Sequence, residues 1–122
     1  MRLRFYEEEY VVARCDSGSI RPAVDSGLFA SIQGPDGNTV VCRYGLEPIQ
    51  GDLERGWRAV QLDEVFGFGE IGIIASIVGP LAAAGVAVFV VSTFATDWIL
   101  VKESAVGIAK ETLRSVGHTI VP

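Results

Sequence analysis

The sequence predicts an α+β protein, and two observations carry that prediction. Between Glu70 and Asp97 there is no charged residue, yet the stretch changes character midway. Ile71 to Ala84 is rich in small, helix-compatible residues, whereas Val86-Ala-Val-Phe-Val-Val is β-branched and aromatic, as a buried strand is. Gly79-Pro80 and Gly85 punctuate it, so it reads as helix, glycine cap and strand. A single membrane span of about 20 apolar residues would rarely carry Gly-Pro at its centre. The second observation is that strand-like segments flank this stretch on both sides and a helical apolar face follows near the C-terminus.

The N-terminal half, up to a division near Gly51–Gly56, reads as strands and turns. Tyr10–Cys15 is the first strand, and Asp16-Ser-Gly-Ser with Pro22 is loop. Gly27–Gln33 and Asn38–Arg43 are two more strands. Pro35-Asp36-Gly37-Asn38 turns between them, with Gly37 supplying a positive φ. Leu46–Gly51 is irregular, and its Pro48 excludes a central strand.

In the C-terminal half, Trp57–Leu62 alternates apolar and polar as a half-buried strand. A helix follows from about Glu70 to Ala84 with Gly85 as its cap. Val86–Val91 is a strand, Ser92–Thr96 a turn and Trp98–Lys102 another strand. Val106, Ala109, Leu113 and Val116 mark one face of a second helix, and Lys110 and Glu111 its wet side. Gly117 caps that helix, and His118–Val121 closes as a short strand, His118 being a solvated start. The order βαββαβ is the ferredoxin-like unit, which sets domains at residues 1–55 and 56–122. The first helix is apolar nearly all round, so it needs cover beyond the sheet. A second copy of the chain is the simplest cover.

A chain of 122 residues holds one good core or two small subdomains sharing one. Its net charge of -5 argues against a nucleic-acid surface, which needs a basic stripe. Cys15 and Cys42 lack CxxC spacing and a neighbouring histidine, so reduced, buried thiols are expected, with neither a bridge nor a metal site. Acids occupy Glu7-Glu-Glu, where a signal peptide needs its apolar core. That run reads as a solvated face, and the expected compartment is the cytoplasm. No nucleophile–base pair or pair of catalytic carboxylates stands out, so no catalytic residue is assigned.

Gly67-Phe68-Gly69-Glu70-Ile71-Gly72 satisfies G-x-G-x-x-G after a strand and before a helix. A dinucleotide site would also need an acid about 20 residues on, where this chain has Val91-Ser92-Thr93. No cofactor is therefore expected. A glycine-rich turn at a helix start still exposes backbone N–H groups, which suit a carboxylate as well as a phosphate. Glu70 and Asp97 beside it can accept hydrogen bonds from an ammonium group, while Thr93, Phe94 and Thr96 add a hydroxyl, an apolar wall and backbone carbonyls. Donors for an acid beside acceptors for an amine describe an α-amino acid pocket. The bland alternative is that Glu70 complements a helix dipole and Asp97 makes a turn.

Gly67-Phe-Gly-Glu-Ile-Gly-Ile-Ile-Ala-Ser-Ile, Pro80-Leu-Ala-Ala-Ala-Gly-Val and Ser92-Thr-Phe-Ala-Thr-Asp-Trp-Ile-Leu-Val-Lys together resemble ACT domains. More narrowly, they are similar to small bacterial tandem-ACT proteins related to the CASTOR arginine sensors and to aspartate kinase regulatory domains. The resemblance implies two ACT units packed side by side, the first degenerate. It also implies a ligand site formed by Gly67, Glu70, Ile71, Gly72 and Ile73 with Thr93, Phe94, Thr96 and Asp97. The sensors duplicate this unit in one longer chain, so here a homodimer would supply the other half. The expected function is non-enzymatic: binding of a free amino acid at an ACT–ACT interface, acting on a regulated enzyme or another protein. The alternative is an assembly module with a vestigial pocket. Neither nucleic acid nor membrane is an expected partner.

Overall fold

The computed structural model describes residues 1–15, 27–47, 52–64 and 71–122. Gly67 and Glu70 lie outside the described residues, as do the expected loop at Asp16–Ser19, Pro22, Pro48 and Gly51. The elements in chain order are β1 (Arg2–Cys15), β2 (Ala30–Gly34), β3 (Gly37–Arg43), β4 (Leu53–Leu62), α1 (Ala75–Ala83), β5 (Val88–Ser92), β6 (Asp97–Lys102), α2 (Val106–Ser115) and β7 (Thr119–Val121). A single 3-10 turn, Glu103–Ala105, leads into α2.

These elements pack as two compact units, Met1–Glu7 with Arg58–Pro122, and Glu8–Trp57. In the first, the strand order is β7-β1-β4-β6-β5. The βαββαβ order of β4-α1-β5-β6-α2-β7 is the ferredoxin-like one, with one addition. The N-terminal part of β1 enters the sheet and runs parallel to β7, pairing Arg2 with Thr119 and Leu3 with Ile120. The physical reason lies in its alternation. Leu3 is fully buried in the core and Phe5 packs against it, while Arg2 and Arg4 leave by the other face to reach Asp63 at 3.3 and 3.1 Å. Sequence reading started this strand only at Tyr10, because arginines and glutamates mask the period of two.

The core of this unit lies between sheet and helices, where Val60, Leu62, Ile77, Leu81, Ile99, Val101 and Leu113 bury completely. Both helices end in a six-residue glycine cap: Val86 N donates to Leu81 O and Gly85 N to Ala82 O, and His118 N and Gly117 N do the same to Leu113 O and Arg114 O. α1 is shorter than expected because Gly72, at φ 76°, cannot continue a right-handed helix. Only Ile77 and Leu81 of α1 are fully buried, and its exposed side is Ala75, Ser76, Gly79, Ala82 and Ala83, which present little apolar area. Val116, read as part of the buried face of α2, is the helix cap and half exposed. His118, read as solvated, is half-buried with Nε2 3.0 Å from Ser76 O.

In the second unit the order is β2-β3-β1-β4. β2 and β3 form the expected hairpin, closing at Gly34 opposite Gly37, whose φ is 120°. Val11, Cys15, Val40 and Cys42 form its small core. Glu9 is not merely solvated: its carboxylate accepts from Arg55 Nε and from Gly56 N, both at 3.0 Å. Those bonds hold the Glu9 carboxyl below the usual carboxylate range. No helix among the described residues is long and apolar enough to cross a membrane.

Candidate functional site

The sequence-predicted residues that are described fall at one end of the first unit's sheet. β4 ends at Leu62 and leads toward α1, while the β5–β6 hairpin turns between Ser92 and Asp97. The two are tied together by Thr96, whose Oγ1 donates to Leu62 O at 2.8 Å. Within the hairpin, Thr93 N and Thr93 Oγ1 both donate to Thr96 O at 2.9 Å. Thr93 and Thr96 are thus spent largely on shaping the turn. Phe94, at its tip, is 84% exposed.

Asp97 pairs with Ser92 across the first rung of the hairpin, and Ser92 Oγ donates to Asp97 Oδ1 at 2.5 Å. Its second oxygen, Oδ2, has no partner among the described residues. Ser92 was not singled out from sequence; the signal for it was the register, since the residue opposite Asp97 in a tight hairpin is the one able to orient its carboxylate.

On the helix side, Ile71 is 94% exposed and Ile73 is half-buried against the core. No described residue comes within 4 Å of where a Cβ on Gly72 would stand. Ser76, also not singled out, organises this turn: Ser76 N donates to Gly72 O at 3.0 Å and Ser76 Oγ to Ile73 O at 2.6 Å. Among the described residues the start of α1 has no side-chain cap, and its first turn holds no acid. The Ser76 and Ile77 N–H groups are taken by Gly72 O and Ile74 O, and the positive end of the helix dipole favours an anion at the turn before them. Among the described residues no cluster of three or more His, Cys, Asp or Glu could hold a metal ion. The arrangement offers donors suited to a carboxylate and a carboxylate acceptor suited to a cation.

Comparison with known proteins identifies the fold and the family. The family model for the ACT domain matches residues 52–115. Over 59 residues, 48% of this chain, the sequence is 44% identical to the human cytosolic arginine sensor for mTORC1 subunit 1, and the match spans only 18% of that protein. An Agobacterium tumefaciens protein solved by X-ray crystallography superposes with a TM-score of 0.86 at 28% identity, covering 98% of this chain and 91% of that one. The ligand-free regulatory subunit of aspartate kinase from Thermus thermophilus shares the fold, with a TM-score of 0.64 at 10% identity over 93% of this chain and 95% of that one. With its model matched over more than half of the sequence, this chain belongs to the ACT domain family.

Proposed function

We propose that this protein is a non-enzymatic regulatory module that binds a free amino acid. The observation that carries the reading is the pairing, at one sheet end, of a helix start that has no side-chain cap among the described residues with the half-engaged Asp97 carboxylate. The ligand carboxylate takes N–H groups near Gly72 and Ile73, and its ammonium takes Asp97. Glu70 and Gly67 belong to the same proposed site on the strength of the motif. A second copy of the chain completes the site across an ACT–ACT interface, as a homodimer, and the relative's name supports arginine as the first ligand to try. The same name supports a cytoplasmic location. Ligand binding then acts by favouring one assembly or orientation, limited by its differential affinity for the two states. The downstream partner is an enzyme or another protein.

A thermal-shift screen of the common amino acids at millimolar concentration, L-arginine first, tests this. A ligand at about 100 times its dissociation constant adds about 2.7 kcal/mol to the folded state, which moves the melting point by several degrees. Sedimentation with and without the hit reports the dimer. If nothing shifts the wild type, the reading fails. The assembly-module reading then takes its place, which the exposure of Ile71 and Phe94, two large apolar side chains, independently favours.

A further inference from the structure

Residue 80 lies inside α1 and is proline, so the helix has no amide to give the carbonyl four residues back. That carbonyl belongs to Ser76, and the ring of His118 reaches it: Nε2 is 3.0 Å from Ser76 O. His118 is delivered there by the glycine cap of α2, which fixes its own N–H on Leu113 O at 3.0 Å. A carbonyl oxygen can only accept, so Nε2 carries the proton. The other ring nitrogen, Nδ1, is buried with no hydrogen-bond partner among the described residues.

Ser76 is also the residue whose N–H and hydroxyl grip Gly72 O and Ile73 O. A continuous chain of hydrogen bonds therefore runs from the end of α2 through His118 and Ser76 to the turn proposed to receive the ligand carboxylate. We propose that His118 is a positioning residue: its imidazole replaces the amide that Pro80 lacks and holds the Gly72–Ile73 turn in its binding geometry. The link to binding rests on the amino-acid reading above; the link from His118 to the turn does not.

The experiment uses the full chain, labelled with 15N. In the wild type the imidazole of His118 should be the Nε2–H tautomer; an Nδ1–H tautomer overturns the proposal without any variant. His118→Leu should speed amide exchange at Ser76 and Val78 by about tenfold, the change expected from losing one hydrogen bond of ordinary strength. His118→Gln, whose amide can donate to the same carbonyl, should retain protection. Pro80→Ala in the His118→Leu background should restore it, because the new amide serves Ser76 O directly. Pro80→Ala in the wild-type background measures what removing the proline gives by itself, so a double variant that gains no more protection than that, or unchanged exchange in His118→Leu, overturns the proposal. L-arginine, titrated into the same proteins, should bind about tenfold more weakly to His118→Leu and recover in the double variant. Equal affinity for wild type and His118→Leu overturns the positioning role. If neither L-arginine nor another common amino acid binds the wild type, the amino-acid reading fails, and exchange decides for or against His118.

Discussion

Thr96 Oγ1 donates to the carbonyl of Leu62 across 2.8 Å, fastening the β5–β6 hairpin to the last residue of β4. The two residues are far apart in sequence, and their bond brings the turn that carries Asp97 to the sheet end from which the chain runs on toward α1. Thr96→Val keeps the shape and removes the donor, so the part-buried Leu62 carbonyl loses this bond. A loss of about 1 kcal/mol in stability is expected, read as a lower urea midpoint at unchanged slope. Thr96→Ser should stay near the wild type. Equal midpoints for all three proteins would show that the hairpin is held by its own turn bonds.

For the proposed pocket, Asp97→Ala should weaken amino-acid binding by roughly 30-fold or more, since truncating one side of a desolvated charge pair costs about 2–5 kcal/mol. Ser92→Ala should weaken it less, because it frees Asp97 Oδ1 without removing the charge. Titration calorimetry on the two variants gives the order; Ser92→Ala matching Asp97→Ala would place the ammonium elsewhere.

Gly27 and Gly72 share nearly the same positive φ, 75° and 76°, and differ in what surrounds them. A Cβ at Gly27 would stand 2.5 Å from the Tyr10 hydroxyl, which accepts the Leu28 N–H, whereas one at Gly72 meets nothing within 4 Å among the described residues. Gly72→Ala should therefore cost only backbone strain, about 1–2 kcal/mol. Gly27→Ala should cost more than that, through the clash and the strained bond to Tyr10. Chemical denaturation of both variants checks the difference.

Cys42 should resist alkylation in the folded protein. Burial, and secondarily the charge of Glu47, push its thiol up to about 11, so the reactive thiolate is scarce at mildly alkaline pH. The fold favours the neutral thiol, so this contribution to stability is complete below the ordinary cysteine range and is lost as pH rises toward that value. Both cysteines should titrate as free thiols after unfolding without reductant. Val11 faces Cys42 and Asn38 faces Cys15, so the thiols are offset by four residues along paired strands. At about 13 Å they cannot bridge without a register slip. Fast reaction of Cys42 in native protein would show that this sheet opens readily.

Local chemistry along the chain was enough to set the element types of the C-terminal half and to display the residues of its motif. Helix and strand periods are local, and glycine and proline punctuate them at fixed offsets, so Gly85, Gly117 and the Pro35–Asn38 turn were legible without any partner in space. The same locality made Asp97 and Gly72 visible as candidates. Three features came from packing in space. It paired the arginine-flanked Leu3 with Ile120 of β7, because a strand declares itself only when a neighbour satisfies its backbone. It engaged Thr93 within the hairpin turn and tied Thr96 across to Leu62 of β4. It also gave His118 a role, since the need for its imidazole arises from the amide that Pro80 lacks, 38 positions earlier by number, and no local pattern links a missing donor to the side chain that replaces it.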